Sequence, residues 1–128
     1  MGSIGARNAG RIFSNEYEPW LICAKITAAA AIHTDGYTVT DGGEEVASVT
    51  RSAEGVIVVT LRHKWVALLG VDVACSINDY TFALTSNLVS TSKTITLTAR
   101  LQSSGASAST DPDSAVLDLR IWLKGNNL

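Results

Sequence analysis

Two histidines are the first residues to weigh for chemistry, His33 in "AIHTDG" and His63 in "LRHKW". Imidazole titrates near neutral pH and is the commonest metal ligand. Neither histidine has a second His or Cys at ligand spacing, whereas a zinc site needs three or four convergent ligands. A nucleophile–base–orienter trio can be drawn from a serine, His63 and Asp72. No GxSxG turn exposes a serine, however, and unrelated surface groups account for these residues far better, since any chain of this length permits such a trio. The acids Glu44-Glu45 and Asp111/Asp113 have the residue types of glycosidase carboxylates. They stand beside Gly and Pro in turns, where acids hydrogen-bond local backbone or stay solvated. "DPDS" lacks the regular ligand alternation and the later bidentate Glu of a calcium loop, and no glycine-rich phosphate-binding motif is present. The expectation is a protein that is not an enzyme and has no metal or cofactor.

Composition bounds what else the chain does. Its 128 residues suit one domain. Charged residues make up 17%, below the usual ~25%, with Thr, Ser, Ala and Val in their place. A surface so weakly charged suits association with other protein. The net charge is −2 and the Lys and Arg residues are scattered. Nucleic-acid binding, which needs a basic stripe to displace counterions, is therefore not expected. The stretch "WLICAKITAAAAI" follows the acidic "NEYEP" and contains Lys25. It reads neither as a signal peptide nor as a membrane span, so no membrane partner is expected. Cys23 and Cys75 sit in apolar strand-like stretches and read as two small buried thiols, in keeping with a reducing cytosol.

The elements that would carry any site are strands. Residues 1–19 show no sustained period and read as an irregular N-terminal arm. Residues 20–128 read as the folded domain. From Trp20 to Ile32, Ile22, Ala24, Ile26 and Ala28 alternate with Cys23, Lys25 and Thr27, which predicts a strand. Turns follow at Asp35-Gly36, "DGGEE" and Glu54-Gly55, with short strands between them. Residues 56–61 are a nearly continuous apolar run, which predicts a strand covered on both faces. Between residues 66 and 77 the alternation is looser, and Gly70 marks a bulge or a close approach. Residues 94–102 alternate over four periods, with Ile95, Leu97, Ala99 and Leu101 to one side. After the small-residue loop 103–113, the last strand puts Leu117, Leu119, Ile121 and Leu123 inward, and Asp118, Arg120, Trp122 and Lys124 outward. These two strands read as a hairpin. Seven or eight short strands separated by turns predict an all-β domain, a single antiparallel β-sandwich or jelly-roll-like barrel.

The function is then sought in the aromatics. Trp122 lies on the polar face between Arg120 and Lys124, Trp65 at a strand end, and Trp20 where the arm meets the domain. Trp, Tyr and Arg are enriched at interface centres. The arm's Ile12, Phe13 and Tyr17 are costly to leave in water. With Arg7 and Arg11 they complete the expected contact set for another subunit. A sugar-stacking platform is the other reading of an outward Trp.

The closing segments, "TITLTARLQ", "SSGASASTDPD" and "AVLDLRIWLK", resemble small structural proteins of tailed bacteriophage heads, the capsid decoration or cement proteins. "VIVVTLRHKWVALLGVDV" is consistent with the same group, and the resemblance covers roughly the second half of the chain. It implies a virion protein on the capsid surface, assembled in the host cytoplasm, often a homotrimer. Such a protein staples the major capsid protein of the shell against internal pressure. The alternatives are a carbohydrate- or host-binding module of a fibre, and a self-assembling coat or tail protein.

Overall fold

The computed structural model describes residues 19–77, 79–102 and 109–125. Strict alternation builds the two central strands of its first sheet. In β1 (Pro19–Ala28), Ile22, Ala24, Ile26 and Ala28 are buried while Leu21, Cys23, Lys25 and Thr27 are exposed. In β8 (Val116–Lys124), Leu117, Leu119, Ile121 and Leu123 are buried. β1 and β8 pair antiparallel from Pro19↔Lys124 to Thr27↔Val116 without a shift. β2 (Tyr37–Asp41) and β5 (Ala67–Cys75) flank them, giving the order β2-β1-β8-β5.

The opposing sheet has the order β3-β4-β7-β6, from β3 (Val46–Ala53), β4 (Val56–Leu61), β6 (Tyr80–Leu88) and β7 (Thr94–Leu101). Its inward residues, such as Val49, Ile57, Val59, Ile95 and Leu97, meet those of β1 and β8 in one core cluster. Burying each such side chain contributes about 1.5–3 kcal/mol. Of the two all-β forms expected, the chain adopts the sandwich. Every bulge falls on a flanking strand. The unmatched residues are Thr40 in β2, Ala47 and Ser52 in β3, Leu69 in β5 and Thr85 in β6. The central pairs β1–β8 and β4–β7 run unbroken.

Four sequence expectations are corrected. Residues 94–102 and 116–124 are not a hairpin, since β7 pairs with β4 and β6 while β8 pairs with β1 and β5. Each has one apolar face and two hydrogen-bonding edges to fill, and residues 102–115 are long enough to cross the ~10 Å between packed sheets. The first strand stops at Ala28, and Ala29–Ala31 lead into a single helical turn, α1 (Ile32–Asp35). β4 is not covered on both faces. Its outward Val56, Val58 and Thr60 are half-buried, with no further layer over them among the described residues. The thiols are not buried either. Cys23 is exposed and Cys75 intermediate, both free, because alternation puts Cys23 on the outer face with Leu21 and Lys25.

Candidate interaction surface

The register fixes two ends of the sandwich. At one lie the start of β1, the end of β8 and the β4–β5 connection. At the other lie the Glu54-Gly55 turn, the start of β6 and the segment 109–115.

The second end holds the acids. Asp111 is 6% exposed. Its Oδ2 accepts from Arg51 Nε at 2.9 Å and its Oδ1 from the Gly55 N–H at 2.7 Å. Its own N–H donates to Glu54 Oε2 at 2.7 Å, and the Tyr80 hydroxyl donates to its carbonyl at 3.0 Å. Arg51 also reaches Glu54, 3.3 Å away. Asp113 Oδ1 accepts the Ile32 N–H at 3.1 Å. Neither "DPD" side chain bonds local backbone: Asp111 is buried, and Asp113, though exposed, reaches the Ile32 N–H on α1. They tie the β7–β8 crossover to the β3–β4 turn in one sheet and to α1 beside the other. Gly55, at φ +72°, is required here because a Cβ would stand 2.5 Å from the Thr110 nitrogen. Tyr37 points its buried hydroxyl at no partner among the described residues. Burial, then Asp111 and Asp113, push its phenol well above the usual range.

The first end is apolar. Trp20 and Trp65 stack obliquely, centroids 6.1 Å apart and planes at 57°. With Leu21 and Ile22 they line a groove of about 550 Å³ whose polar lining is Glu45, His63 and Lys64. Leu21 continues from the groove onto the outer face of the first sheet. There it stands opposite Trp122, which stands opposite Gly70. A Cβ on Gly70 would be 3.7 Å from Trp122 Cε3, so the indole lies over the glycine. The bulge residue Leu69 stands beside it. Trp20, Leu21 and Leu69 are each at least half exposed, and Val66 is 39% exposed. Grouped exposed apolar side chains of this kind mark contact sites more often than they occur on free surface. The next rows on the same face are polar: Cys23–Arg120–Asp72, then Lys25–Asp118–Ala74.

The structure brings Trp20, Trp65 and Trp122 to one end. Lys124 ends β8 there, half-buried, with its carbonyl accepting the Val66 N–H at 3.3 Å. Arg120 is exposed one row along. Trp122 does face outward, but it is half-buried on its own chain's Gly70. The arm residues Arg7, Arg11, Ile12, Phe13 and Tyr17 lie outside the described residues. Sequence reading missed Leu21, Val66 and Leu69. Leu21 was legible, because it shares the outward parity of Cys23 and Lys25. Leu69 was not, because a bulge reverses parity. His63 faces Glu45, with Nδ1 3.9 Å from Oε2. Among the described residues no group of three His, Cys, Asp or Glu side chains is placed to hold a metal ion, and no helix is long and apolar enough to cross a membrane.

Comparison with protein-family models, curated proteins and solved structures finds no match to this chain.

Proposed function

We propose that the protein is a non-enzymatic structural subunit that assembles with other protein through the Trp20–Leu21–Trp122–Leu69 end of its first sheet. The observation that carries this reading is the contiguity of the exposed apolar side chains there. Burying each in a partner is worth about 1.5–3 kcal/mol, which sums to a usable contact once the cost of association is met. The resemblance of residues 94–124 to phage-head proteins sets the role more finely. The subunit is a capsid decoration protein, trimeric on the shell, contacting the major capsid protein. Many copies that bind the closed shell better than free shell subunits shift the equilibrium toward the closed form.

Light scattering over a wide concentration range, followed by co-sedimentation with empty capsids, tests the reading. The wild-type chain is expected to form a defined oligomer, trimer favoured, and to sediment with capsids. Leu21→Lys with Leu69→Lys should abolish both while leaving the fold intact. A double variant that associates like the wild type would remove this surface from the account. Binding to glycans by a strictly monomeric protein would replace it with the sugar-platform reading.

A further inference from the structure

We infer that Asp41-Gly42, where β2 ends, is a site at which the folded chain rewrites its own main chain, turning Asp41 into isoaspartate. The inference is independent of the assembly reading above.

The sequence holds two Asp-Gly steps, Asp35-Gly36 and Asp41-Gly42. In each, a glycine without a Cβ leaves its backbone nitrogen open to the preceding side chain. Both aspartates are exposed, so access to water does not separate them. Hydrogen bonding does. The Gly36 N–H closes α1 by donating to the Ile32 carbonyl at 2.8 Å. The Gly42 N–H donates instead to Asp41 Oδ1, 2.9 Å away. The Asp41 carboxyl carbon, one bond from that oxygen, therefore stands beside the nitrogen. A reacting pair held in such contact gains rate over one that must search for it. The fold also fixes which residue follows Asp41. Gly42 lies at φ +86°, and a Cβ there would stand 2.6 Å from the Cys23 carbonyl oxygen and 2.8 Å from Ala24 Cα. β1 thus admits only glycine at this point, so packing and reactivity are tied to the same residue.

The step needs no reagent but water. The Gly42 nitrogen attacks Cγ of the neutral Asp41 carboxyl, and the N–Cγ bond forms. The Cγ–O bond breaks, and the hydroxyl leaves as water with the proton from the Gly42 N–H. A cyclic succinimide results. Water then adds to one of its carbonyls. Opening at the former main-chain carbonyl leaves the chain running through Cβ and Cγ, with a free α-carboxylate. The product has the mass of the starting chain and an added methylene in its backbone. A turn packed as closely as Gly42 on β1 has no room for that methylene, so conversion pulls the end of β2 from β1.

Ageing of the full-length chain at neutral pH tests this. Trypsin cuts after Lys25 and Arg51 and nowhere between, so a single peptide carries both steps and fragmentation in the mass spectrometer assigns isoaspartate to either. In the folded chain isoaspartate should accumulate at Asp41 roughly tenfold faster than at Asp35, and in urea the two rates should converge. Asp41→Glu, whose longer side chain would have to close a larger ring, should remove the signal at that position. Equal rates at both steps in the folded chain, or faster conversion at Asp35, would overturn the inference. A preference for Asp41 that persists in urea would also overturn it, because the local sequence and not the fold would then set the rate. Aged chain should unfold at a lower denaturant concentration than fresh chain, and equal stability would overturn the loosening of β2.

Discussion

The two ends of the sandwich solve opposite problems. At the Gly55 end a polar network is matched within the chain, although the buried Tyr37 hydroxyl beside it has no partner among the described residues. Asp111 alone receives a guanidinium, a backbone N–H and, through its own amide and carbonyl, a carboxylate and a phenol. At the Trp20 end, apolar groups face water and a buried indole N–H has no acceptor among the described residues. The difference teaches where to look for function in a chain without catalytic motifs. The end rich in internal polar bonds is where the fold is tied together. The end that leaves grouped apolar side chains in water is the place to test for contacts outside the domain.

Substitutions at the two ends should separate stability from association. The largest effect is expected from Asp111→Ala. Removing one partner of a buried ion pair costs about 3–5 kcal/mol, and the Gly55 N–H loses its acceptor as well. Chemical denaturation should show a loss of this size, with oligomer mass unchanged below the unfolding transition. A loss under about 1 kcal/mol, as for an ordinary surface pair, would mean that the Asp111 network does not hold the fold. Trp122→Ala comes next. The indole is half-buried on Gly70, so stability should fall by about 1–2 kcal/mol from lost apolar contact. Association should also weaken, which light scattering reads. A purely thermodynamic loss would assign Trp122 to the domain's own packing.

The smallest effect should come from Tyr37→Phe. Its hydroxyl makes no bond among the described residues, so neutral-pH stability should stay within about 1 kcal/mol of wild type. The pH dependence is the sharper readout. Burial and the nearby Asp111 and Asp113 raise the folded-state pKa, with Arg51 opposing. The unfolded chain releases this proton near pH 10 while the folded chain keeps it. The contribution is therefore complete below about pH 10 and is lost as pH rises beyond it. Tyr37→Phe should make the alkaline decline shallower. Tyr80, also raised chiefly by burial, should keep some of the slope. An unchanged decline would mean that Tyr37 titrates as an exposed phenol.

Alternation was enough to read the inward faces of β1, β7 and β8, because a side-chain period of two is a local property of the backbone. Partners were not legible in the same way. Residues 94–102 and 116–124 carry the pattern of a hairpin, yet which strand lies beside which is decided by edges contributed from distant segments. Asp111 looked like an ordinary turn acid because its ligands Arg51 and Gly55 come from another turn altogether. Trp122 was correctly placed on the outer face. That it lies over Gly70 depended on the one-residue slip at Leu69, which no single strand reveals. The looser alternation of 66–77 and the glycine within it were the only local signals.

That slip has a wider consequence. Each of the four edge strands carries an unmatched residue. β5 and β6 in particular are nine residues long with a single charged side chain, Asp72, between them. Flat, uncharged edges of that length are templates for open-ended strand addition, the route to fibrils. A bulge in each one kinks and twists the exposed backbone so that a foreign strand cannot zip along it. The edges of both sheets are thus guarded against strand addition, whereas the exposed apolar side chains of the first sheet gather at one end. High local concentrations should therefore not drive it into fibrils through its sheet edges.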